Sequence, residues 1–106
     1  MTGAKIPKPP GHFSKEAKIW WRKILTEFVL EDDGLLILKT TLENYDMIQL
    51  AREQLAQDGP TITGPTGVPR PHPALTLLKT ATSGFYQGCR LLGLNIEPPA
   101  GKGVRR

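Results

Sequence analysis

All ten prolines of this 106-residue chain fall in three clusters, at positions 7–10, 60–73 and 98–99. Proline has no backbone N–H, and its ring clashes with the preceding turn, so a helix interior excludes it. Two proline-free blocks remain, 11–59 and 74–97, and any helix of useful length must lie in them. A chain of this length makes one domain with a modest core, and small domains often gain stability by oligomerising.

The first block opens with SKEAKIWWRKILTEF, residues 14–28. Ser14 is a good N-cap, and Glu16 suits the positive end of the helix dipole. Ala17, Trp20, Trp21, Ile24, Leu25 and Phe28 recur at one-face helical spacing, with Lys15, Lys18 and Arg22 opposite. The spacing predicts an amphipathic helix with both tryptophans as core anchors. A second helix is expected from about Gly34 to Gln57, capped by Asp32 or Asp33 and ended by Gly59. Its main apolar face is Ile37, Leu38, Leu42, Tyr45, Ile48 and Leu55, yet Leu36, Met47 and Leu50 lie on the far side. A helix apolar on two faces must be covered twice. One cover is expected from another copy of the chain; the alternative is that both faces pack inside a compact monomer.

A third helix is expected from Pro73, a comfortable first-turn residue, to Gly93. Ala74, Leu78, Ala81, Phe85, Gly88 and Leu92 alternate steps of four and three, the spacing of a coiled-coil seam. Gly84 and Gly88 each cost about 1 kcal/mol relative to alanine inside a helix. Close approach of a neighbouring backbone would offset that. Leu36, Met47, Leu50, Gly84 and Gly88 are therefore assigned to a contact between copies. Cys89 beside this face reads as a small hydrophobe.

Between the second and third helices runs DGPTITGPTGVPRPHPAL, residues 58–75. Its glycines are not followed by Gly-Lys-Ser/Thr, and no dinucleotide-binding spacing occurs, so it is no phosphate loop. TITG and TGVPRP can pair as a small hairpin around Gly64–Gly67, with prolines restricted to edge positions. His72 caps or precedes the third helix. The fold class is mainly α: a three-helix body with a long Pro/Gly-rich connector and a possible short β-hairpin.

The residues that catalysis would need are sparse. Two histidines and one cysteine make no metal quartet. Ser14 and Ser83 have no base nearby in sequence. No enzyme, metal or cofactor is expected. No apolar run approaches the roughly 20 residues that cross a bilayer, so no membrane partner is expected. The opening MTGAKIPKPPGHF lacks the apolar stretch of a secretory signal, and the lone Cys89 fits a reducing compartment. The expected location is the cytoplasm.

Charge is unevenly placed. Residues 1–23 carry a net +5, residues 24–58 a net −6, and residues 59–106 a net +5. Basic ends around an acidic middle can hold a polyanion, or pair end to middle with a second copy, or be no more than solvated surface. Nucleic acid is the favoured target, and a helix-turn-helix is the first geometry to test. The second helix would then enter the major groove with its start, which reads Glu31-Asp32-Asp33-Gly34-Leu35-Leu36 and would repel phosphates. The expected contacts are instead Lys5, Lys8, Lys15, Lys18, Arg22 and Lys23 at the front, and Lys102, Arg105 and Arg106 at the back. Residues 1–13 and 95–106 are read as flexible basic arms, and residues 14–94 as the helical body.

The order of these pieces is also familiar: an amphipathic helix, an acid-capped helix with Tyr45 and Ala51, Gly59, a connector with Gly67, HPAL at His72–Leu75, and LLGL at Leu91–Leu94. Over about residues 14–98 this resembles the compact small terminase subunits of tailed phages. The sequence departs after LGL, where that group usually places a proline two residues on and then a basic residue. Here Asn95, Ile96 and Glu97 precede Pro98, and Lys102 is the first basic residue. The resemblance implies a non-catalytic DNA-packaging component in the host cytoplasm. It would assemble as an oligomeric ring, bind double-stranded viral DNA, and present it to the large terminase subunit, which carries the ATPase and nuclease. The competing readings are a protein-only adaptor without DNA affinity and a small DNA-binding regulator.

Overall fold

The computed structural model of the chain describes residues 6–96. They form three helices and one small antiparallel hairpin: α1 (Lys15–Glu27), α2 (Asp32–Asp58), β1 (Thr61–Thr63), β2 (Pro69–Pro71) and α3 (Pro73–Leu92). The helices fill the two proline-free blocks, with Pro73 at the first turn of α3.

Ser14 caps α1, its hydroxyl oxygen accepting the Ala17 N–H at 3.0 Å. The cap is itself held from α2. Asp46 accepts the Ser14 N–H at 2.9 Å and the Ser14 hydroxyl at 2.5 Å. α1 therefore lies antiparallel to the first half of α2. Between them Phe13, Ala17, Trp21, Ile24, Leu38 and Leu42 make the core, with Leu30, Leu35, Tyr45, Leu92 and Leu94 against its edges.

α2 starts two residues before the expected Gly34, and Glu31 is its N-cap with no side-chain bond. Neither Asp32 nor Asp33 caps the helix; both sit inside its first turn, where their charges still face the positive end of the dipole. The side chain of Asp33 turns back onto the Gly34 N–H. Two further expectations are corrected on α1. Trp21 is buried, but Trp20 is 38% exposed, on the rim of the core. Phe28 is the extended C-cap of α1 and, at 37% exposure, also lies on that rim.

α3 runs back antiparallel along α2, and the two approach very closely. A Cβ at Gly88 would fall 1.9 Å from Thr41 Oγ1, and one at Gly84 would fall 2.6 Å from Asn44 Nδ2. Within the chain, the neighbour that these glycines accommodate is its own α2. Thr41 is buried but satisfied, donating to the Ile37 carbonyl at 2.7 Å.

The connector is a built piece. Gly64 N–H donates to the Val68 carbonyl at 3.0 Å, and His72 N–H to the Pro60 carbonyl at 2.9 Å. The register pairs Ile62 with Arg70 between them. Bonded and non-bonded pairs alternate along such a ladder. Pro69 and Pro71 therefore fall where the backbone nitrogen points outward, and they cost no ladder bond. Gly67, at φ +82°, makes the turn that side-chain-bearing residues resist. His72 then joins hairpin to helix. Its Nδ1 accepts the Ala74 N–H at 2.9 Å, which leaves Nε2 to carry the proton toward Asp58 Oδ2, also at 2.9 Å.

The molecule is elongated. Its radius of gyration is 17.1 Å, against about 13 Å for a compact domain of 100 residues. α1 and the core occupy one end; the α2–α3 pair continues past Asp46 as a two-helix stalk tipped by the hairpin.

Candidate nucleic-acid interface

The outer side of α1 is where positive charge gathers. Lys15, Lys18 and Arg22 are three and four residues apart and turn away from the buried Ala17, Trp21 and Ile24. The preceding segment adds to this face. Residues 6–13, part of the expected flexible arm, lie back along α1. The Trp21 indole N–H donates to the Pro7 carbonyl at 2.8 Å. Phe13, only 5% exposed, sits edge-on to the Trp21 ring with centroids 5.8 Å apart. Phe13 N–H bonds the Pro10 carbonyl, closing a turn into the helix. His12 Nε2 meets Glu43 Oε2 of α2 at 2.7 Å. As a result Lys8 and Arg22 line one shallow groove with Ile6, Pro7, Pro9 and Thr26.

Among the described residues the close contacts of a basic side chain with a carboxylate are the histidine hydrogen bonds His12–Glu43 and His72–Asp58, and no lysine or arginine reaches a carboxylate. The acids nearest the arm, Glu43 and Asp46, are engaged by His12 and Ser14. The lysines and arginine of the α1 face are therefore not tied up in close ion pairs among the described residues.

Not every expected contact joins this face. Lys23 instead lies over the Trp20 ring, 5.0 Å from its centroid. Lys5, Lys102, Arg105 and Arg106 lie outside the described residues. Leu36, Met47 and Leu50 are on the outer side of α2, at 64%, 38% and 41% exposure. Gly84 and Gly88 line the groove between α2 and α3 that Leu36 and Leu91 flank.

Sequence reading missed a cavity of about 170 Å³ where the three helices and the chain after α3 meet. Trp20, Leu42, Tyr45, Phe85, Cys89, Leu94 and Ile96 are among its lining. Gly93, left-handed at φ +73°, ends α3 and sends Leu94 and Ile96 across to Trp20. A signal was present in the paired apolar residues after Gly93. Cys89 is fully buried there, and burial pushes its thiol above the ordinary value, with the Arg90 charge opposing in smaller measure. Such a thiol stays protonated and is a poor nucleophile.

Among the described residues no three His, Cys, Asp or Glu side chains are grouped to hold a metal ion. No helix there is long and apolar enough to cross a membrane.

Fold and surface together define a small, mainly helical protein with a basic face at one end and a two-helix stalk at the other. Residues 17–100 match the family described as phage terminase, small subunit, and the chain belongs to that family. Membership supports a role in packaging phage DNA. No curated protein and no solved structure matches the chain.

Proposed function

We propose that this protein is the non-catalytic DNA-binding component of a phage packaging machine, acting in the host cytoplasm. It grips double-stranded viral DNA through phosphate contacts from Lys8, Lys15, Lys18 and Arg22. It assembles with copies of itself into a ring through the outer side of α2, and it presents the DNA to the large terminase subunit. The observation that carries the reading is the basic face of α1 and its arm, whose lysines and arginine make no close ion pair among the described residues, on a chain of the terminase small subunit family.

Contacts of this kind position DNA without reading its bases, so affinity falls steeply with salt. The acidic first turn of α2 argues against a regulator that inserts that helix in the major groove. The test is a DNA shift assay at low and high salt with the wild type and with Lys15, Lys18 and Arg22 all replaced by glutamate. Salt-sensitive binding that the triple variant loses, with its circular dichroism unchanged, supports the reading. No wild-type binding at low salt would leave the protein-only adaptor. Unchanged binding by the variant would move the contact off α1.

A further inference from the structure

We propose that residues 6–13 are a strap which Trp21 positions on α1 so that Lys8 and Arg22 hold one stretch of nucleic-acid phosphate together. This rests on the DNA-contact reading above and assigns to Trp21 a part beyond its place in the core.

The strap has no secondary structure of its own, and Pro7, Pro9 and Pro10 give it none of the backbone donors that a helix or ladder would use. It is held at both ends, with His12 also meeting Glu43 of α2. Phe13 is buried at its C-terminal end, and the Pro7 carbonyl is held by the Trp21 indole at the other. Trp21 is 4% exposed, so its N–H needs an acceptor, and within the described residues the strap supplies it. Lys8 is the residue next to that hydrogen bond, and it shares a groove with Arg22 and Thr26. A lysine on a free arm loses most of its conformational freedom when it meets a phosphate. One on a pinned strap has already lost the backbone part of that freedom, and more of the contact energy appears as affinity. The three prolines act in the same direction by restricting the unbound chain.

Trp21 is therefore a positioning residue, and its effect should run through Lys8. The experiment measures binding of the full chain to a short DNA duplex by fluorescence anisotropy over a series of salt concentrations. Each phosphate contact contributes about 0.9 to the slope of log affinity against log salt. Lys8→Ala should lower the slope by about that amount. Trp21→Phe keeps a six-membered aromatic ring in the core and removes the N–H; it should weaken binding severalfold, and adding Lys8→Ala to it should weaken binding no further. Pro9→Gly with Pro10→Gly loosens the strap without touching the core and should match Trp21→Phe, which covers the case of a Trp21 variant that folds poorly. Additive losses from Trp21→Phe and Lys8→Ala, or an unchanged affinity in the double glycine variant, would overturn the strap. A loss in the Lys15, Lys18, Arg22 triple variant alone, with all strap variants binding as wild type, would refute the strap and leave the DNA reading standing. Wild-type protein that binds no DNA would refute both.

Discussion

At the scale of single residues, two side chains hold more of the structure than their size suggests. Asp46 supplies both oxygens to Ser14, and Ser14 in turn caps α1. Removing the carboxylate strands a backbone N–H and a hydroxyl in a half-buried site. Such losses cost about 1–3 kcal/mol, and loss of an N-cap alone costs about 1 kcal/mol. Asp46→Ala should therefore lower stability in urea denaturation by more than Ser14→Ala, and the double variant should cost less than the sum, because both act on one cap. Strict additivity would mean that Asp46 does not work through Ser14. Cys89 offers a second check. The folded chain keeps the thiol proton at a pH where the unfolded chain has released it, so its folded form binds more protons there. The contribution to stability is complete below the ordinary value of 9.0 and is lost as pH rises through the raised folded value. Wild-type stability should thus fall more steeply above pH 9.0 than that of Cys89→Ala. Parallel curves would show that the thiol is not desolvated.

The elements are set by different kinds of information, and the α2–α3 seam shows the contrast. Gly88→Ala gains about 1 kcal/mol of helix propensity. It also places a methyl group 1.9 Å from Thr41 Oγ1, a contact that cannot stand without shifting the helices. Overpacking costs about 1–3 kcal/mol, and the distance puts this site at the upper end, so the clash wins. The variant should melt lower than wild type, and Thr41→Ser with it should recover little, since Oγ1 remains. A melting point unchanged or raised would mean that the two helices do not approach as described. The need for a close neighbour was legible in the two glycines themselves. Which neighbour was not, because a helix pattern gives the face and not the partner. The termini of α1 and α3, and the hairpin, were legible for a local reason: Ser14, His72, Gly67 and the prolines fix backbone geometry within a few residues. The start of α2 was misplaced because Asp32 and Asp33 serve a first turn as well as they serve a cap. Trp20 and the strap escaped because both depend on non-local contacts, with Leu94 and Ile96 in one case and Pro7 with Trp21 in the other. Spacing alone places Lys15, Lys18 and Arg22 on one face, and Lys8 is expected with them, but the groove that Lys8 shares with Arg22 was not legible.

For the whole molecule, the central question is what covers the stalk. α1 shelters α2 only as far as Asp46, and from Met47 to Asp58 the helix has α3 on one side and no other described element on the other. On that outer side Leu36, Thr40, Glu43, Met47 and Leu50 follow one another in steps of four and three, the spacing of a seam. Glu43, in the middle of that row, is the residue that holds His12, so a copy docking along the row would reach the arm that carries Lys8. Assembly and DNA contact would then meet at one point of the structure. Burying a leucine contributes about 1.5–3 kcal/mol, and an aspartate buried without a partner costs more than that gain. Leu50→Asp should therefore weaken association at least about tenfold while leaving helix content intact, since Leu50 is 41% exposed and outside the buried core of its own chain. Light scattering of wild type and variant at micromolar concentration, alongside circular dichroism, reads both effects. A wild-type assembly whose mass the substitution leaves unchanged would place the contact elsewhere, and a wild-type chain that is monomeric would mean that the exposed Leu36, Met47 and Leu50 of α2 are tolerated in water.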